Sequence, residues 1–158
     1  MRRVWLLVLV AACGGGGGGG DDDDGPTDGP RTEAHAACID ETNRLRQAEG
    51  RPPVEWWADL EAYADDGAEY DHHNSPHDHF GMEPAGERIA FAENECPRWG
   101  LEFGGGDMVD LMLACIEAFY SEGPGGGHYE NMMGDYGTLG CGIYEEDGLV
   151  TIVQDFGF

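Results

Sequence analysis

The sequence predicts an α+β domain in which three helices precede a small antiparallel sheet and pack with it as a sandwich. Two observations carry that expectation. Apolar side chains recur every three or four residues in three stretches between Thr32 and Phe119, and beyond Leu139 the period drops to two. In the first helix Thr32 is a capping hydroxyl, Cys38, Thr42 and Leu45 share one face, and Gly50 with Pro52-Pro53 ends the run near Glu49. The second helix is expected from about Glu55 to Tyr70, with Trp56, Leu60, Tyr63, Ala64 and Gly67 on one stripe. Asp107 caps a third, in which Met108, Leu111, Met112, Cys115 and Phe119 repeat at helical spacing. Leu139, Cys141 and Ile143 then alternate with Gly140, Gly142 and Tyr144. Glu145–Gly148 offers a turn and Leu149–Phe156 alternates again, the pattern of a β-hairpin.

Ahead of this domain, residues 1–12 have the anatomy of an export signal: Arg2 and Arg3, an apolar run from Val4 to Val10 too short to span a bilayer, and Ala11-Ala12. The ending Val10-Ala11-Ala12-Cys13 resembles the lipobox of bacterial lipoproteins, which implies cleavage before Cys13 and lipid on its sulfur. Residues 13–31 follow with a run of glycines, Asp21–Asp24 and Gly25-Pro26-Thr27-Asp28-Gly29-Pro30. Such a segment has no apolar side chains to offset the entropy of ordering it, so it is expected to be a solvated tether. Its root-mean-square reach is on the order of 25 Å. Residues 32–158 then form one domain. The expected location is the bacterial cell envelope, and Gly14 is unlike an inner-membrane retention signal, so the outer membrane is the expected face.

The formal net charge is −24, and losing Arg2 and Arg3 with the signal makes it more negative. So acidic a surface repels phosphate backbones, which argues against nucleic-acid binding and electrostatic membrane docking and favours cations or basic partners. The chain contains no lysine, which excludes Schiff-base chemistry and a Gly-Lys-Ser/Thr phosphate loop. With Cys13 committed to lipid, Cys38, Cys96, Cys115 and Cys141 remain, an even number that argues for two disulfides in an exported chain. Three pairings are possible. Cys38–Cys141 with Cys96–Cys115 is favoured, one bridge tying the first helix to the sheet and the other pinning a loop to a later helix. Their spacing lacks the close cysteine pairs of a zinc knuckle.

The chemistry centres on His128, which stands between Gly125-Gly126-Gly127 and a segment from Tyr129 that reads as a strand. Glu122, three residues after Phe119, continues the apolar edge of the third helix, and the intervening glycines let the chain reverse so that carboxylate and imidazole face each other. A carboxylate at a helix C-terminus is disfavoured by the macrodipole, so something else is expected to hold it. Glu130 shares the His128 face if that segment is extended. A second cluster lies upstream, His72-His73-Asn74-Ser75-Pro76-His77-Asp78-His79, followed by Gly86-Glu87-Arg88-Ile89-Ala90. Histidines with a carboxylate nearby suit zinc and other divalent transition metals, although such a loop in an acidic chain is as often a solvated surface.

Taken in order, Thr42-Asn43-Arg44-Leu45-Arg46, Trp56 with Leu60 and Ala64, the histidine loop, Gly86-Glu87, Phe119 with Glu122, Gly127-His128-Tyr129 and Gly140-Cys141-Gly142 resemble the CAP superfamily. It comprises the cysteine-rich secretory proteins, antigen 5 and the plant pathogenesis-related proteins. The resemblance runs from about His35 to Phe158. It implies an α-β-α sandwich with two histidines and two glutamates in a cleft, sometimes with a divalent metal. By position, Glu87 matches the glutamate of the family's Gly-Glu-Asn, Glu122 the glutamate after its helix tryptophan, and His128 the histidine of Gly-His-Tyr. His79 is taken as the remaining histidine, with His77 as runner-up.

The chain departs from the family pattern at Arg88, Phe119 and Glu130-Asn131. Asp78 and Phe80, not serine, follow the two histidines, and Ser75 and Ser121 are the only serines, neither in a Gly-x-Ser-x-Gly elbow. Serine hydrolysis is therefore excluded from the expectations. Three functional readings are left. The first is a membrane-tethered binding module for an envelope partner, lipid or glycan. The second is a metal-dependent hydrolase of a peptide, ester or cell-wall substrate, with His79, His128 and one glutamate as ligands and the other of Glu87 and Glu122 as general base. The third is a structural polar network with function elsewhere. Fold alone certifies no enzyme, and the binding reading is placed first.

Overall fold

A computed structural model describes residues 32–84 and 86–158, so the expectations for residues 1–31 lie outside the described residues. The elements run α1 (Glu33–Ala48), β1 (Glu55–Trp56), α2 (Ala58–His73), α3 (Asp78–Met82), β2 (Ala92–Gly100), a 3-10 turn (Leu101–Gly104), α4 (Met108–Ser121), α5 (Gly127–Met132), β3 (Thr138–Glu146) and β4 (Leu149–Gly157). The sheet order is β1-β3-β4-β2, with β1 parallel to β3 and the other pairs antiparallel. Helix α2 lies on one face, while α1 and α4 pack together on the other. The α-β-α sandwich that the resemblance implies is thus the observed architecture. Among the described residues no helix is long and apolar enough to cross a membrane.

The caps behave as the sequence suggests. The Thr32 hydroxyl accepts from the His35 N–H and closes a capping box, and the Asp107 carboxylate accepts from the Val109 and Asp110 N–H groups. Asp147 and Gly148, with φ of 53° and 77°, make the two-residue turn of the β3–β4 hairpin. Strand alternation assigns the faces. Leu139, Cys141, Ile152 and Phe156 join Cys38, Leu111, Ile116 and Phe119 in the main core, whereas Gly140, Gly142 and Val153 face α2. A Cβ on Gly142 would sit 2.0 Å from the Ala64 carbonyl oxygen, and one on Gly140 2.3 Å from the Leu60 carbonyl carbon. These two glycines let the α2 backbone rest directly on the sheet.

Disulfides join Cys38 to Cys141 and Cys96 to Cys115, tying α1 to β3 and β2 to α4. A buried polar chain runs through the main core. The Gln154 side-chain N–H donates to the Thr42 hydroxyl at 2.7 Å, the Asn94 side-chain N–H donates to Gln154 Oε1 at 2.9 Å, and the Asn131 side-chain N–H donates to Asn94 Oδ1 at 3.0 Å. This row links α1, β4, β2 and α5, and positions the edge strand β2 against the segment that carries His128.

Two expectations are corrected, and one strand is added. The second helix starts at Ala58 rather than Glu55, because Glu55 and Trp56 pair with Thr138 and Leu139, and the Asn43 amide clamps both the N–H and C=O of Val54. The segment after Gly127 is a helix rather than a strand, burying Tyr129 and Met132 three residues apart. Strand β2 has no counterpart among the elements expected above, because Glu93, Asn94 and Glu95 carry no apolar alternation.

Candidate metal-binding cleft

His77, Glu93 and Glu95 converge beside the edge strand. Strand β2 directs Glu93 and Glu95 to the α2 face, two residues apart, and the turn after α2 brings His77 over them. The His77 Nδ1 lies 2.7 Å from Glu93 Oε1, and the His77 backbone N–H donates to Glu95 Oε2 at 2.8 Å. One ligand atom from each of the three residues falls within 4.8 Å of the others. His77 is about half exposed while both glutamates are buried, so the group opens to solvent through the imidazole. His77 also takes a left-handed conformation with φ of 66°, sustained by its two glutamate contacts. The hydrogen bond to Glu93 raises the His77 pKa against the opposing effect of burial. Burial pushes the Glu95 carboxyl up to about 7.

Glu122 and His128 form a second pair. His128 Nδ1 lies 2.6 Å from Glu122 Oε1, and the His128 backbone N–H donates to Glu122 Oε2 at 3.0 Å. The carboxylate that ends α4 thus caps the start of α5, which is what offsets its unfavourable place at a helix C-terminus. The hydrogen bond from His128 holds the Glu122 carboxyl below its ordinary range. Gly126 makes the pairing possible, because a Cβ there would meet the Glu122 Cβ at 2.4 Å. The His128 ring stacks on Phe119 at 4.8 Å. Asn94 donates to the His128 carbonyl at 3.1 Å and Asn131 to the Glu93 carbonyl at 3.0 Å, so asparagines stitch the two histidine–glutamate pairs to the same strand edge.

Of the four residues expected in the cleft, the structure therefore pairs Glu122 with His128 and puts His79 and Glu87 elsewhere. His79 packs on α2, its ring 4.6 Å from that of Tyr63 and its backbone N–H on the Asp71 carboxylate at 2.8 Å. Glu87 is exposed in a turn closed by its own N–H on the Pro84 carbonyl. The runner-up His77 occupies the position against a buried glutamate, and that glutamate is Glu93. Glu130 is not on a strand face beside His128; its carboxylate folds back to accept from the Gly125 N–H at 2.8 Å.

Comparison with known families matches residues 39–156 to the family described as "CAP: Cysteine-rich secretory protein family". The chain belongs to the CAP family. Among solved structures, the crystal structure of NaASP2 with Zn2+ matches this CAP domain with a TM-score of 0.60 at 17% identity, covering 84% of this chain and 83% of the other. The crystal structure of Na-ASP-1 matches with a TM-score of 0.55 at 15% identity, covering 77% of this chain and 38% of the other. At these identities the likeness is one of fold. No curated protein matches the sequence.

Within the CAP domain, Glu93-Asn94 supplies the Glu-Asn pair that Glu87-Arg88 lacks. The shift was readable in one signal, an acidic residue followed by asparagine and preceded by small Ala92. Gly86-Glu87 masked it, being the better match to the first two residues of Gly-Glu-Asn. The donor set of one imidazole nitrogen and two carboxylates is the chemistry that a zinc-class ion takes, so the residues present fit such a metal.

Proposed function

We propose that this CAP-family protein is a membrane-tethered binding module whose cleft takes a divalent transition metal. The observation that carries the reading is the convergence of His77, Glu93 and Glu95 within 4.8 Å at a solvent-open edge. The His128–Glu122 pair borders the same strand edge and supplies a second imidazole with its own carboxylate partner. NaASP2, which shares the fold, was crystallised with Zn2+, and this supports a metal here without specifying its ligands. When bound, zinc supplies Lewis-acid chemistry and an anchor for an oxygen donor. The residues themselves orient the two imidazoles: Glu93 fixes the His77 ring, Glu95 fixes its backbone, and Glu122 fixes His128.

Zinc titration of the untagged full chain, followed by thermal melting, tests the proposal. Zinc is expected to raise Tm by several degrees, and His77→Ala is expected to remove the shift. An unchanged Tm in the wild-type chain would overturn it. Chelator-sensitive turnover of an ester or peptide that Glu122→Gln abolishes without lowering Tm would instead establish the hydrolase reading. The tether is tested separately: Cys13→Ser is expected to move the full chain from the detergent phase to the aqueous phase.

A further inference from the structure

Away from the cleft, the start of α1 sets a hydroxyl, an imidazole and a carboxylate in a row. The Asp65 carboxylate on α2 accepts from the Ile143 N–H at 2.9 Å and lies 3.1 Å from His35 Nε2. A carboxylate only accepts, so the network places the His35 proton on Nε2 and leaves Nδ1 as an acceptor. Thr32 meets that nitrogen twice, with its hydroxyl at 2.7 Å and with its backbone N–H at 3.1 Å. The shorter contact aims the hydroxyl proton at a base whose tautomer and ring position Asp65 fixes. A capping box accounts for Thr32 and His35 but not for Asp65, 30 residues from the histidine in sequence. His35 is buried, whereas Thr32 is exposed and can be reached from solvent.

Thr32 and His35 line an open cavity of about 510 Å³ between α1, α4 and β3, within the size range of small-molecule sites. Its apolar lining, Ala34, Met108, Val109 and Ile143, is the edge of the main core. Glu33, Asp107 and Glu145 also line it and no arginine does, which disfavours an anionic ligand. We infer that Thr32, His35 and Asp65 form an acyl-transfer centre for uncharged esters with a small apolar acyl group. Thr32 Oγ attacks the ester carbonyl carbon while its proton passes to His35 Nδ1. The bond from that carbon to the alcohol oxygen then breaks, the departing oxygen takes the proton from Nδ1, and the acyl group remains on Thr32. Water attacks the acyl-threonine and gives one proton to Nδ1; Thr32 Oγ leaves, recovers that proton, and the carboxylic acid departs. The first N–H groups of a helix have no partner within it, so those of Glu33 and Ala34 are donors for the oxyanion formed at each attack. Asp65 is a positioning residue, acting through the imidazole.

The test treats the full chain, in excess chelator, with p-nitrophenyl butyrate and with a small alkyl fluorophosphonate. Ester turnover and a covalent adduct mapped to Thr32 by mass spectrometry are expected, and the chelator separates both from any activity of the zinc-class cleft. Thr32→Asn keeps a capping oxygen and His35→Gln keeps the capping box, so each preserves the helix start while removing nucleophile or base. Both are expected to leave Tm close to wild type and to lower turnover by about 100-fold or more. Thr32→Ser is expected to retain the adduct and the turnover. Asp65→Asn is expected to lower kcat with KM unchanged, a split that a purely structural role would not produce. The inference is overturned if the wild-type chain forms no adduct at Thr32. It is also overturned if Thr32→Asn or His35→Gln turns over the ester at the wild-type rate, which would leave the row a helix cap and nothing more.

Discussion

Arg46 is the largest fully buried side chain, and its guanidinium donates to the carbonyls of Pro52, Met132, Gly134 and Tyr136. It binds the loop after α5 to α1, holding the segment that follows His128. Removing it leaves buried carbonyls unsatisfied, so Arg46→Met is expected to lower unfolding free energy by about 2–4 kcal/mol in urea denaturation. Glu95 gives a pH signature. Its ordinary pKa of about 4.5 is pushed up to about 7 by burial, and burial also raises Asp71 and Asp155. The folded chain therefore keeps a proton that the unfolded chain releases, so the stabilisation is full below about pH 4.5 and gone above about pH 7. His77, raised by Glu93, acts in the same direction. In excess chelator, stability is expected to fall across this window by on the order of 3 kcal/mol for Glu95 alone, and Glu95→Gln is expected to flatten the Tm–pH curve.

At the scale of elements, the contact between α2 and β3 depends on the absence of side chains. Gly142→Ala would drive a methyl group into the Ala64 backbone and lift the helix off the sheet. The expected loss is about 3 kcal/mol or more, or failure to fold. Gly137→Ala is the internal control: its nearest neighbour would be Phe158 at 3.8 Å, so its stability is expected to stay within about 0.5 kcal/mol of wild type. Because α2 also leads into the turn that carries His77, lifting it is expected to abolish the zinc response.

For the whole molecule, the two disulfides close loops of different length, with sequence separations of 103 and 19 residues. On chain-entropy grounds the longer contributes about 4.7 kcal/mol and the shorter about 3. Replacing Cys38 and Cys141 by alanine is therefore expected to lower the urea midpoint more than replacing Cys96 and Cys115. The surface beyond these constraints is dominated by its acids, with a net charge of −24. Exposed carboxylates add a diffuse, salt-sensitive attraction for cations, whereas buried sites respond weakly to added salt.

The sequence by itself determined the parts whose signals are local. Thr32 and Asp107 mark helix starts because a side-chain oxygen caps nearby amides, and the β3–β4 alternation follows from a period of two. Glu122 and His128 are six residues apart, with Gly126 leaving room for the Glu122 side chain to reach the imidazole. The tertiary structure decided what depends on distant chain segments. Whether His77 or His79 meets a glutamate depends on how the turn after α2 crosses β2, and both histidines look alike locally. Glu93, Asn94 and Glu95 carry no apolar alternation, and it is pairing with β4 and cover by α2 that bury them. Their burial is a property of register and packing between segments some 60 residues apart, as in the Asn94–Gln154 contact. No local period encodes that, because the same alternation serves a strand facing water and one facing a helix.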